Sequence, residues 1–134
     1  MSDDADVLSA NASFYEAFRV ESLAAMDAVW ARREPVTCIH PGWQVLVGRA
    51  RVMESWKAIF ESGAPAIQCG AAEAHVLGDV AFVTCTEVVD DGQLVATNLF
   101  AREDGRWRMV HHHAGPVAMQ ERALRRPPTD AGPN

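Results

Sequence analysis

Turn signals cut the second half of the chain at short, regular intervals, and this limits its fold more than any other feature. Gly78-Asp79, Asp90-Asp91-Gly92 and Glu103-Asp104-Gly105 separate the runs Ile67–Val76, Val80–Val89, Gln93–Arg102 and Arg106–Ala114. Val80–Val89 is rich in β-branched residues, which suit a pleated, half-buried surface. Asp-Gly is a favoured hairpin dipeptide because its residues tolerate positive φ. Four strands in an antiparallel meander are expected, the first interrupted at Gly70.

The first half carries helical spacing instead. Val7, Phe14 and Phe18, with Leu8 and Tyr15 beside them, fall on one face of a helix over residues 4–19. Ser2 or Asp3 can cap it, and early aspartates suit the positive end of its dipole. A second helix is expected from Ser22, with Leu23, Met26 and Trp30 on one side and Pro35 as its stop. Residues 49–62 predict a third, burying Val52, Trp56, Ile59 and Phe60 and ending at Gly63 and Pro65. Val36–His40 reads as a short strand, closed by the Pro41-Gly42 turn. Helices followed by a meander define an α+β domain with helices on one sheet face. At 134 residues the chain suits a single domain. It is expected over residues 1–117, with 118–134 a partly disordered tail that includes Arg125-Arg126-Pro127-Pro128.

Val95, Leu99 and Ala101 alternate with Leu94, Ala96, Asn98 and Phe100, so both faces of that strand are largely apolar. A sheet wetted on one face should alternate more cleanly with polar residues. Helices cover one face, and a second subunit is expected to cover the other, giving a homodimer. The formal net charge of −6 argues against nonspecific nucleic-acid binding, which needs a basic footprint. No apolar run approaches the roughly 18 residues of a membrane span. The acidic start and three scattered cysteines without a CxxC motif lead us to expect a reduced, cytoplasmic protein.

Chemistry rests first on five histidines. His40 ends the first strand, where an imidazole with a pKa near ~6.5 can move protons, or simply hold the turn. His111 and His113 share one face of the last strand and His112 points the other way. The outer pair could present metal ligands, although no third is adjacent, or could serve as interface histidines. Asn98 lies mid-strand among apolar residues and needs partners, from the protein or from a ligand. Glu87 is expected on an exposed face or a dimer rim. Cys38 shares a face with His40, which raises a thiolate–imidazole pair as an alternative. No GxGxxG, P-loop, GxSxG or HExxH motif is present.

Taken together, several segments resemble the NTF2-like superfamily, in its SnoaL-like branch. They are Phe14-Tyr15-Glu16-Ala17-Phe18 with Ser22-Leu23, Val36–Trp43, Gly48-Arg49, Val52–Trp56 and Gly105–His113. The similarity covers residues 7–117. It implies a cystatin-like cone, a curved and mainly antiparallel sheet wrapped on three helices around an apolar pocket, often dimeric through the outer sheet face. In ketosteroid isomerase, a member of the superfamily, the base is an Asp and the oxyanion hole uses a Tyr and a protonated Asp. The similar positions here are His40, Phe14 and Asn98. Phe14 lacks a hydroxyl, and Tyr15 beside it is expected to point elsewhere. The resemblance implies His40, Asn98 and His112 as catalytic residues. It implies Phe14, Tyr15, Trp43, Trp56, Phe100 and Val110 as pocket lining, with Val110, His112 and Phe100 facing inward. The implied ligand is a small apolar or mixed-polarity metabolite, handled without cofactor or metal by an isomerase, cyclase or lyase. The alternative is a noncatalytic, homodimeric binding or association domain.

Overall fold

The computed structural model describes residues 2–90 and 92–117. The expected tail at 118–134 and Asp91 of the hairpin turn lie outside the described residues. Three helices, α1 (Asp3–Arg19), α2 (Leu23–Val29) and α3 (Arg49–Ser62), accompany six strands. The strands are β1 (Thr37–Ile39), β2 (Leu46–Val47), β3 (Gln68–Leu77), β4 (Val80–Val89), β5 (Gly92–Glu103) and β6 (Arg106–Pro116). One sheet runs in the order β2-β1-β6-β5-β4-β3. It is antiparallel except where β1 runs parallel to β6.

The helices begin where their caps predict. Ser2 accepts a hydrogen bond from Ala5 N, Ser22 accepts one from Ala25 N, and Gly48 opens α3 with φ 102°. The end of α2 is set by tertiary pairing and falls before Pro35. Fully buried Trp30 forms a parallel bridge with Met109, and Ala31 N donates to Met109 O at 2.9 Å. The two-residue strand β2 was not expected; it is too short to carry a period. The inward face of α1 buries Val7, Asn11, Phe14, Tyr15 and Phe18, so a polar residue, Asn11, sits inside the apolar stripe.

Register decides which strand residues face the helices. Leu99 pairs with His111 but Phe100 pairs with Met109, leaving Val110 as an unpaired bulge residue. A bulge shifts the two-residue period by one. Trp107 and Met109 are therefore buried before it, and His112 and Ala114 after it. This corrects the expectation for Val110: it is half-buried, and Met109 takes the interior position beside Phe100. Gly70 likewise marks an irregularity, the pairing jumping from Gly70–Thr86 to Glu73–Thr84.

Candidate functional site

The parallel β1–β6 pair and the β5–β6 hairpin bring distant residues together. Cys38 lies opposite His112, and His112 opposite Asn98. His40 follows directly after β1, and α1 lays Asn11, Phe14 and Tyr15 across the same face. The result is a cavity of about 310 Å³ walled by Phe14, Phe18, Trp43, Trp56, Ile59 and Leu94. Three titratable side chains also line it: His40, Glu87 and His112, exposed by 3%, 2% and 3%. A few polar groups in an apolar pocket of this size are typical of small-molecule sites.

The hydrogen bonds assign most of the protons. Asn98 Nδ2 donates to Asn11 Oδ1 at 2.8 Å and to Tyr15 Oη at 3.2 Å, so its Oδ1 is the acceptor facing His112 Nδ1 at 2.6 Å. His112 therefore carries its proton on Nδ1 and leaves Nε2 with a free lone pair. That Nε2 lies 4.0 Å from Glu87 Oε2, which accepts from Tyr15 Oη at 2.6 Å. Ser55 donates to Val52 O, so its oxygen accepts from His40 Nε2 at 2.8 Å, and Nδ1 of His40 is left as the acceptor, with Cys38 Sγ 3.9 Å away. Trp56 Nε1 is buried without a partner among the described residues.

Burial sets the charge states. Desolvation lowers His40 from its ordinary 6.5 to about 4. Desolvation, joined by repulsion from His40, His111 and His113, lowers His112 to about 3. Both imidazoles are neutral at physiological pH. Desolvation raises the Glu87 carboxyl, against the opposing pull of the Tyr15 hydroxyl. Burial also pushes the Cys38 thiol well up, so a Cys38–His40 thiolate pair is disfavoured although Sγ lies 3.7 Å from His40 Nε2.

Of the nine residues expected at the site, His40, His112, Phe14, Trp43 and Trp56 line the cavity. Asn98 is fully buried behind His112 and holds it, so it is a positioning residue. Tyr15 does not point away from the site, since its hydroxyl joins Asn98 and Glu87 from behind the wall. Phe100 packs in the core and Val110 sits at the bulge, both away from the cavity. Glu87 corrects the expectation of an exposed rim position, because it pairs with Leu94 on β5 and points inward. An isolated acid among β-branched residues, in phase with buried Val83 and Cys85, is the signal that could have marked it. His111 and His113 lie on the outer face with their rings 6.3 Å apart. Among the described residues no group of three or more His, Cys, Asp or Glu side chains is gathered to hold a metal ion.

Residues 7–119 match the family model described as the SnoaL-like domain. The chain belongs to the SnoaL-like family. This SnoaL-like chain is 33% identical to a putative dehydratase of the NTF2-like family from Streptomyces avermitilis. The similarity covers 87% of this chain and 97% of that one, with a TM-score of 0.80. It is 37% identical to a putative calcium/calmodulin-dependent protein kinase type II association domain from Thiobacillus denitrificans. There the coverage is 81% and 92%, and the TM-score 0.68. It is also 32% identical, over 88% of its length, to the F-box protein SKIP8 of Arabidopsis thaliana, of which it spans about half, 52%. An uncharacterised cystatin-like protein from Caulobacter vibrioides, 14% identical with a TM-score of 0.81, shares the fold. The SnoaL-like α+β cone is thus shown by the sequence match and the structural likeness together. Among the described residues no helix is long and apolar enough to cross a membrane.

Proposed function

We propose that this chain is a cofactor-independent lyase that eliminates water from a small, largely apolar hydroxylated molecule. The observation that carries this reading is the open His112 Nε2 facing the Glu87 carboxyl at 4.0 Å inside an apolar cavity. His112 Nε2 takes a proton from the carbon next to an activating carbonyl. The C–H electron pair forms the double bond, the C–O bond breaks, and Glu87 in its protonated form, which burial favours, gives its proton to the departing hydroxyl, releasing water. The imidazolium and carboxylate left behind stand 4.0 Å apart and return the proton through one intervening water, which restores both groups. His40 lines the same wall and offers Nδ1 as a second proton acceptor. Isomerisation or cyclisation would use the same base without a leaving group. The likeness to a putative dehydratase favours water loss.

The test is a panel of β-hydroxy ketones with aromatic or alicyclic bodies, read by the absorbance of the conjugated enone. Turnover is expected for the wild type. Glu87→Gln and His112→Asn are expected to lower it by about 10²–10⁴-fold with far-UV circular dichroism unchanged. Asn at 112 keeps a donor for Asn98, so loss of rate would report the missing base. Undiminished turnover in Glu87→Gln would overturn the assignment of the acid.

A second reading concerns assembly. The outer sheet face exposes Val47, Leu77, Val80, Val88 and Val95, from 42% to 66% each, with Phe82 and Leu99 half-buried among them. A relative at 37% identity is described as an association domain. These observations support a homodimer through that face, burying the ~800 Å² per partner of a stable interface. Light scattering at micromolar concentration is expected to give a dimer mass for the wild type and a monomer mass for Val95→Glu. A monomeric wild type would rule the dimer out.

A further inference from the structure

Two histidines outside the cavity take no part in the chemistry above. On β6, His111 and His113 pair with Thr37 and Ile39 of β1 on one side and with Leu99 and Thr97 of β5 on the other. Both rings lie on the outer face, 6.3 Å apart between centroids. His111 is half-buried, and its Nδ1 lies 2.5 Å from Thr37 Oγ1. His113 is exposed.

Their position on that face matters. In the order β2-β1-β6-β5-β4-β3 the middle of the sheet is the β6–β5 pair. His111 is also the midpoint of β6, which runs from Arg106 to Pro116. Two polar rings therefore stand at the centre of a face whose exposed valines extend from Val47 on β2 to Val80 and Val88 on β4. An isologous dimer over the whole face has its two-fold axis through that centre, and residues at the axis meet their own copies. We infer that the His111 and His113 pairs of two chains together bind one zinc ion at the centre of the dimer interface. This inference rests on the dimer reading given above.

Zinc takes four ligands in a tetrahedron, and imidazole nitrogens suit it. Among the described residues a single chain gathers no third ligand beside this pair. A second copy related by the axis supplies the missing two. With Zn–N bonds of about 2.0–2.1 Å, two imidazoles on one ion stand about 5 Å apart between centroids. The observed separation is 6.3 Å, and a swing of about 1 Å by the exposed His113 ring closes the difference. His111 binds through Nε2, which places its proton on Nδ1, and Thr37 Oγ1 accepts the hydrogen bond from that nitrogen.

Coordination also answers an energetic difficulty of the bare interface. Enclosing ring nitrogens between two apolar sheet faces without partners costs free energy. A bound ion uses their lone pairs instead, and it binds the dimer in preference to the single chain, so it strengthens association by mass action. His75 provides an internal comparison. It stacks on Phe82 at the β3 edge of the same sheet, away from the centre.

The experiment strips the untagged full-length chain with EDTA, adds zinc chloride, and measures metal content after gel filtration together with the dimer dissociation constant. The wild type is expected to retain one zinc ion per pair of chains and to dimerise about tenfold more tightly with zinc than in EDTA. His111→Ala and His113→Ala are each expected to lose the zinc and the tightening, with circular dichroism unchanged. His75→Ala should keep both. A wild-type dimer that retains no zinc overturns this inference and leaves the dimer reading standing. A chain that is monomeric with and without zinc overturns both. One ion on each monomer, or equal zinc on the double variant His111→Ala with His113→Ala, would show a surface chelate only and overturn the shared site.

Discussion

Trp56→Ala is expected to destabilise the protein by about 3–5 kcal/mol, the range for removing a fully buried tryptophan. Trp56 is 1% exposed, and its ring meets Phe14 at 5.5 Å, Phe18 at 5.6 Å, His40 at 4.7 Å and Phe60 at 5.9 Å between centroids. These rings come from α1, α3 and the end of β1, so the cavity left behind cannot close without moving elements that also wall the candidate pocket. Domains of this kind have about 5–15 kcal/mol in total, so the loss is a third or more of the stability. Urea unfolding followed by circular dichroism measures it. Trp56→Phe keeps most of the ring and removes only the unpartnered N–H, so about 1.5 kcal/mol or less should be lost. Equal losses in the two variants would show that the indole N–H, and not the ring volume, matters.

Lowering the pH from 7 to 5 is expected to produce an effect of similar size. His40 and His112 titrate at about 4 and about 3 in the folded chain and near 6.5 when unfolded. Between those values the unfolded chain binds more protons at both positions, so stability rises with pH across the window and falls as acid is added. Each buried ring loses roughly 2 kcal/mol at pH 5 by that linkage. His111, also lowered by burial, acts in the same direction. Glu87 acts oppositely: its raised value means the folded chain binds the extra proton, and acid relieves the penalty of a buried carboxylate. Two imidazoles against one carboxyl leave a net loss. Urea titrations at pH 7 and pH 5 check it, and the double variant His40→Asn with His112→Asn should flatten the difference. Equal or greater stability of the wild type at pH 5 would contradict burial of neutral rings.

The α+β class, the three helices and the meander could all be read from the chain because each is a local property. Ser2 and Ser22 cap by their own hydroxyls, Gly63 (φ 86°) stops α3, and β4 begins and ends at Val80 and Val89 where its β-branched run does. His40 and His112 were likewise legible as a strand-end imidazole and an inward-facing one. The remaining site features depend on contacts between residues far apart in sequence. Cys38 meets His112 only because β1 runs parallel to β6, and Tyr15 reaches Glu87 across 72 positions. The β6 bulge moved Val110 off the inner face and put Met109 there, which no alternation rule applied to β6 alone could show.

The sequence by itself therefore determined which long segments are helix or strand and that the strands carry apolar residues on both faces. Capping, turn chemistry and side-chain period act within a few residues. Only the tertiary structure decided which polar residues meet in the cavity. Glu87 looked like a surface acid, Asn11 like an interruption of a helix stripe and Asn98 like a catalytic donor. In the folded chain these three join Tyr15 and His112 in one buried network. An unpaired polar group in an apolar interior is costly, so each finds its partner wherever packing places one, at any distance along the chain.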